Sequence, residues 1–314
     1  MLDNPLPKCL LLTVDDSQES LKPIDYLCRL YPKRDHVSLV LSYFMPPLAP
    51  AYREKPTSRE MGARKRAMLD AREEETRKVL DRARQALVDA GFSPDEIQEH
   101  VQEKEVSVAH HACRLADVKK VDAVVVQKRV SSKLEGFLKG DPTPALLHHC
   151  LVSPVWMVDG KVNPARAVVS IQDENASLRA LDHAAFMLAE TDARITVLHA
   201  SKSVKAPVES EAFQPSAELE KWQETPEGKA MKPFLEECRW MVENAGIEPD
   251  RMDFAIVPSK GKVHADIQDY CRKAEAGILV LGHSDPGGTW GFLKGSVTRK
   301  ILSDFRNMAV WVCQ

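Results

Sequence analysis

The chain of 314 residues repeats itself. Ala90-Gly91-Phe92-Ser93-Pro94-Asp95 recurs as Ala245-Gly246-Ile247-Glu248-Pro249-Asp250, Gly136-Phe137-Leu138-Lys139-Gly140 as Gly291-Phe292-Leu293-Lys294-Gly295, and Val155-Trp156 as Val310-Trp311, all displaced by 155 positions. Nearer the start of each copy the displacement is 157: Ser20-Leu21 answers to Ser177-Leu178, Asp25 to Asp182, Asp35 to Asp192 and Val40 to Val197. Separated segments that hold two nearby registers mark a duplication, so one structural plan has to serve both halves. The expected division is 1–160 and 161–314, each half long enough to bury its own core.

Within a copy the apolar pattern alternates between strand and helix. Cys9 to Val14 and its counterpart Ala167 to Ile171 are short and almost wholly apolar, as suits a strand covered on both faces of a parallel sheet. A helical period follows each, at Leu21, Ile24, Leu27 and Leu30 and at Leu178, Leu181, Ala185 and Leu188. Second strands are predicted over Val37 to Leu41 and Ile195 to Leu198. Long charged helices then run from about Arg59 to Ala90 and about Ala217 to Asn244, each ended by Ala-Gly. Strands over 97–101 and 252–257, helices over 108–118 and 263–274, strands over 123–126 and 278–281, one more helix, and last strands over 155–158 and 309–312 complete the alternation. The order β-α-β-α-β-α-β-α-β requires right-handed crossovers, so each half is expected to be a five-stranded parallel open sheet, α/β in class, with helices on both faces.

Charge narrows the function. The 43 Lys and Arg nearly balance 46 Asp and Glu, and no single-sign block dominates either half, which argues against nucleic acid as a partner. Met1 to Pro5 lack the basic start of a signal peptide, and no apolar run reaches the roughly 20 residues of a membrane span, so the expected location is cytoplasmic. The seven cysteines are scattered without a C-x-x-C pair, and are expected to be buried reduced thiols.

In open α/β sheets ligands sit beyond the carboxyl ends of the strands, at the point where strand order reverses, which directs attention to the loop after Leu281. It opens Gly282-His283-Ser284-Asp285, continues through Gly287, Gly288 and Gly291, and closes Gly295-Ser296-Val297. Glycines let backbone approach a phosphate, and a helix opening at Ser296 would offer free N–H groups to an anion. Glycines equally serve tight turns, so the loop alone leaves both readings open.

With these residues the chain resembles a tandem universal stress protein, whose nucleotide-binding members carry G-x2-G-x9-G-[ST] between the fourth strand and fourth helix. Gly282, Gly295 and Ser296 fall on the motif, and Asp285 stands on its second glycine. The strand Ser153 to Val158 and the degenerate first loop are most similar to the UspE-type subgroup. The resemblance implies an adenine-nucleotide hydrolase-like fold in two copies packed as an intramolecular pseudo-dimer through their last strands. It implies ATP or a related nucleotide held in the second copy by Gly282, His283, Ser284, Asp285, Gly287, Gly295, Ser296 and Val297, with Gln172 and Ala200 lining the base pocket. In the first copy Asp15 holds the family's adenine-contacting position, but the loop from Gln127 to Gly140 has lost most phosphate-cradling residues, so Asp15 and Gly140 are vestigial. A carboxylate roughly 6 Å from a phosphate charge costs on the order of 3 kcal/mol at an effective dielectric of about 20. Asp285 would offset that by holding a magnesium ion against the phosphates.

Other constellations carry less. His110-His111 and His148-His149 are helix neighbours pointing about 100° apart and lack the i, i+4 spacing of a zinc site. Asp15-Asp16-Ser17 reads as a turn and cap before it reads as a catalytic pair. No G-x-S-x-G, P-loop lysine or Ser-His-Asp order is present, so the expectation is a non-catalytic stress-response binding protein. Its partners would be a nucleotide or other small molecule and other stress proteins, with a homodimer of tandem chains as a further assembly. The alternatives are a nucleotide-free adaptor or carrier of another small or lipid-like ligand, and a weak ATP hydrolase.

Overall fold

The computed structural model describes residues 6–128, 153–172, 175–214, 216–283 and 297–314. They form two compact units that do not coincide with the sequence copies. One contains Pro7–Ile24 and Arg34–Ser153, the other Asp25–Lys33 and Pro154–Gln314.

In the first unit β1 (Lys8–Val14), β2 (Val37–Met45), β3 (Ile97–Glu103) and β4 (Ala123–Gln127) lie in the order β3-β2-β1-β4, all parallel. The centre is apolar because both faces are covered: Leu10, Leu11, Leu12, Val124 and Val125 are all completely buried. The outer β3, Ile-Gln-Glu-His-Val-Gln-Glu, is correspondingly polar and exposed. The helices Arg59–Asp89 and Val108–Lys119 begin at Ser58 and Ser107, whose hydroxyls accept the N–H groups of Met61 and His110, each at 3.1 Å.

The second unit contains β5 (Val155–Val158), β6 (Arg166–Ile171), β7 (Arg194–Ser201), β8 (Val208–Glu211), β9 (Met252–Pro258), β10 (Ile278–Gly282) and β11 (Ala309–Cys313). Their order is β5-β11-β10-β6-β7-β9-β8, parallel except for the two edges of this series, β5 and β8. Both antiparallel strands depart from the expected five parallel strands per copy. β8 falls in the polar stretch after β7, where the first copy has a helical turn at Pro50–Arg53, and β5, the last strand of the first copy, pairs with β11, the last strand of the second.

The long second-copy helix is broken in two, Ala217–Gln223 and Pro226–Asn244, where the sequence pattern runs it continuously over 217–244. Pro226 supplies no N–H to continue the ladder, and Thr225 caps the new helix by accepting the Gly228 N–H at 3.1 Å. The repeated Ala-Gly ends behave as expected. Phe92 N–H reaches the Leu87 carbonyl and Gly91 N–H that of Val88, matched by Ile247 to Val242 and Gly246 to Glu243. Gly91 and Gly246 adopt φ of 92° and 78°, the left-handed turn such a double bond requires.

The interior of the second unit centres on a tryptophan pair. Trp156 on β5 stands opposite Trp311 on β11, their rings stacked 3.8 Å apart and 2° from parallel. Trp311 Nε1 donates to Tyr26 Oη and Trp156 Nε1 to His183 Nε2, both at 3.0 Å. Tyr26 and His183 occupy equivalent positions of the repeat, 157 apart. Burial raises the Tyr26 pKa well above its ordinary value and lowers that of His183 to about 3, so both act as neutral acceptors.

The cysteines correct one expectation. Cys113 is disulfide-bonded. Cys9, Cys28, Cys238, Cys271 and Cys313 are free thiols, the first two only partly buried. Sequence spacing does not reveal which cysteines the fold brings within the 7 Å or so that a bridge needs.

Candidate functional site

In the second unit the chain runs from β6 to β7 and β9 on one side, then crosses back to β10 and β11 on the other. The carboxyl ends of β6 and β10 therefore flank the switch point where a ligand cleft opens in this fold class. Leu281 pairs with Ser170 and Ile171 with His199, so Gln172 emerges between Gly282-His283 at the end of β10 and Ala200 on β7. Four of the expected site positions, Gln172, Ala200, Gly282 and His283, are thus brought together by strand register.

Gln172, Gly282 and His283 each have a second role. The Gln172 N–H donates to Ser177 Oγ at 2.9 Å, tying the end of β6 to the helix Asn175–Leu188. A Cβ on Gly282 would lie 2.2 Å from the Ala176 carbonyl oxygen, so the close passage of that helix demands glycine whether or not a phosphate approaches. His283 is buried and its N–H donates to the Cys313 carbonyl at 2.7 Å, extending the β10–β11 ladder. Ser284, Asp285, Gly287, Gly288, Gly291, Gly295 and Ser296 lie outside the described residues, as does Gly140. Val297 opens the helix Val297–Asp304 that follows the loop.

Sequence reading missed a polar network on the other face of β7. Strand alternation sends His199 and Ser201 away from the side that Ala200 faces. His199 Nε2 donates to Glu227 Oε1 at 3.1 Å and Ser201 Oγ to Glu227 Oε2 at 2.6 Å. Ser203 and Ser201 share a hydroxyl bond at 2.7 Å, and Trp222 Nε1 donates to Ser203 Oγ at 3.0 Å. Partial burial works against the charge on Glu227, but bonds from Ser201, Ser203 and His199 outweigh it and hold its pKa below the usual glutamate value. Serine and histidine both bind the carboxylate, which is not the serine-to-imidazole bond of an activated nucleophile. The signal available in sequence was a break in the repeat, since His199 and Ser201 answer to Ser42 and Phe44.

The first copy has the same switch point between β1 and β4, and its own side chains bond the turn at the end of β1. The Asp15 carboxylate accepts the Ser17 N–H at 2.9 Å and the Ser17 hydroxyl at 2.5 Å, a local turn. Arg82 donates to the carbonyls of Asp15, Asp16 and Ser17 at 2.7, 3.0 and 3.2 Å, clamping that turn from the long helix. Gln127 stands at the end of β4 where the second copy has Gly282. His111 is likewise structural: burial lowers its pKa, and Nε2 accepts the N–H groups of Glu105 and Val106 at 3.1 and 3.3 Å. Among the described residues no group of three or more His, Cys, Asp or Glu is placed to hold a metal ion. Nor, among them, is any helix long and apolar enough to cross a membrane.

The profile of the universal stress protein family matches residues 8–159 and again residues 165–312. The chain belongs to the universal stress protein family. It is a tandem member, with two such domains in succession. A universal stress protein from Archaeoglobus fulgidus DSM 4304 shares the fold with a TM-score of 0.66 and 16% identity, over 98% of this chain and 97% of that one. A functionally unknown protein from Pseudomonas aeruginosa PAO1 aligns with a TM-score of 0.55 and 16% identity, over 98% and 92%. A putative universal stress protein from Pseudomonas aeruginosa UCBPP-PA14 gives 0.54 and 16%, over 98% and 93%. No curated protein matches the chain.

Proposed function

We propose that this protein is a non-catalytic, cytoplasmic stress-response protein that binds ATP or a related adenine nucleotide in its second domain and signals to other stress proteins. The observation that carries this reading is the convergence of Gln172, Ala200 and Gly282 at the carboxyl ends of three neighbouring strands, beside the switch point and ahead of the glycine-rich loop. Gln172 offers both a donor and an acceptor to a base edge. The loop glycines, Ser296 and the helix starting at Val297 would meet the phosphates. Asp285 would take part through a magnesium ion. The paired last strands β5 and β11, with their shared tryptophan stack, support a pseudo-dimer of the two copies in the manner of a UspE-type protein.

The test is mass spectrometry of small molecules released from the purified full chain, with a thermal melt in added ATP and magnesium. Nucleotide should co-purify or raise the Tm of the wild type, and Gly295→Asp should abolish the effect. If no nucleotide is released and neither protein responds, the reading is wrong.

One observation favours a second reading, a nucleotide-free adaptor or carrier of another small or lipid-like ligand. Gly282 is demanded by the helix packed over it, so its presence does not depend on a phosphate. A third reading, slow ATP hydrolysis, would be supported by phosphate release that disappears on replacing Asp285.

A further inference from the structure

The helix Arg59–Asp89 is 31 residues long, yet none of its residues before Thr76 is buried. The part of this half up to Leu69 and the segment leading into it are basic, whereas Asp70 to Glu75 carry four acids against Arg72. From Ala51 to Leu69 there are six Lys or Arg (Arg53, Lys55, Arg59, Arg64, Lys65, Arg66) against two glutamates, in a chain whose formal net charge is −3. Glu60 is taken by Arg64 at 2.7 Å. Arg53 lies 3.8 Å from Glu103. Among the described residues Lys55, Arg59 and Arg66 have no carboxylate within ion-pair reach, and the Lys65 ammonium donates to the Glu54 carbonyl at 2.9 Å.

The cations are interleaved with apolar surface. A shallow groove of about 460 Å³ runs between Pro56 and the helix, lined by Ser58, Arg59, Gly62, Lys65, Arg66 and Leu69. At 3.6 residues per turn Arg59, Gly62, Lys65, Arg66 and Leu69 fall within an arc of roughly 120°. No acid lies on that arc before Asp70. Leu69 is 38% exposed, and Met61, one turn before Lys65, is 41% exposed.

We propose that this face docks the protein peripherally on an anionic bilayer surface. The charges are spread along some 15 Å of helix and its approach segment instead of converging on one point. That distribution suits a field of many head groups better than a single bound anion. Exposed Leu69 and Met61 between the cations can enter the head-group region, where a nucleic-acid backbone or a free phosphate would give them nothing. Clusters of four to eight Lys or Arg on an exposed helix are the usual scale of such attraction. The proposal is independent of nucleotide binding, because the face belongs to the first copy and uses none of the candidate site residues.

The experiment is co-sedimentation of the full chain with vesicles of phosphatidylcholine alone and of phosphatidylcholine mixed with phosphatidylglycerol. Binding is expected only to the mixed vesicles, and should fall steeply as salt is raised. Replacing Arg59→Ala and Arg66→Ala together should weaken it roughly twenty-five-fold, at about fivefold per charge. Both side chains are exposed, so the melting curve should not move. Equal binding to the two vesicle types, absence of binding, or an unaffected double variant would each overturn the proposal. So would equally tight binding to polyglutamate abolished by the same substitutions, which would assign the face to an acidic protein partner.

Discussion

His183 offers a direct test of the core of the second unit. Its imidazole packs half-buried beside the Trp156–Trp311 stack, with Nε2 accepting the Trp156 indole N–H, and desolvation lowers its pKa from 6.5 to about 3. The unfolded chain takes up a proton at this residue as the pH falls through 6.5, whereas the folded chain does not until about 3. Below pH 6.5 the unfolded state therefore binds more protons, and stability contributed by His183 is present above that pH and lost as the pH falls. Between pH 7.5 and 5.0 the loss works out at about 2 kcal/mol, taking 1.36 kcal/mol per pH interval over which only the unfolded state is protonated.

The perturbation that isolates this residue is His183→Gln, whose amide oxygen can still accept the indole N–H but cannot titrate. Urea unfolding of wild type and variant, followed by far-ultraviolet circular dichroism at both pH values, gives two stability losses. Their difference should be about 2 kcal/mol, the variant being the less pH-sensitive, while carboxylates elsewhere titrate alike in both and cancel. An equal loss in the two proteins would mean that His183 takes up its proton in the folded state, and would refute the account of it as a neutral acceptor.

Three further outcomes follow from the packing. Trp311→Phe removes the donor to a buried Tyr26 hydroxyl and thins the stack, and should destabilise the protein by about 2–4 kcal/mol in the same unfolding assay. Gly282→Ala places a methyl against the Ala176 carbonyl and should cost about 1–3 kcal/mol, read as a lower Tm in the absence of any ligand. Glu227→Gln weakens the bonds from His199 and Ser201 and should cost about 1–3 kcal/mol. Because the Glu227 pKa is depressed, its contribution is present above the ordinary glutamate value and lost as the pH falls further, so Glu227→Gln should also flatten the acid limb of the stability curve.

The fold was legible because the features that specify it are local and occur twice. Apolar runs such as Cys9 to Val14 and Ile278 to Leu281 mark two-sided strands, and Gly91 and Gly246 mark helix ends through a conformation other residues adopt at a cost. What escaped was set by long-range geometry or by a competing local signal. β8 lies in a polar stretch whose strand character comes from pairing with β9. Pro226 divided a helix whose apolar period continues across the break. For the candidate site, the family resemblance pointed to Gln172, Ala200 and Gly282, and strand register brings them to neighbouring strand ends. Sequence did not reveal that Gly282 answers to a helix backbone, nor that Glu227 gathers His199 and Ser201, since those partners are separated by 26 residues or more in the chain.

Positions that the two copies hold in common, such as Trp156 and Trp311 or Gly91 and Gly246, are those on which backbone turns and the buried stack depend. The carboxyl ends of the strands carry no such demand in the first copy, and there the copies diverge. Asp15 turns its carboxylate onto Ser17, Arg82 covers the neighbouring carbonyls, and Gln127 replaces the glycine that would admit a phosphate. A nucleotide taking the end of β1 would have to displace the Arg82 bonds and leave three carbonyls to find new donors. On the proposed reading of the second domain, isothermal titration of the full chain with ATP and magnesium should saturate at one nucleotide per chain, and Asp15→Ala should leave the affinity unchanged. Two equivalent sites, or a loss of affinity on replacing Asp15, would show that the first cleft is open despite the bonds at the end of β1.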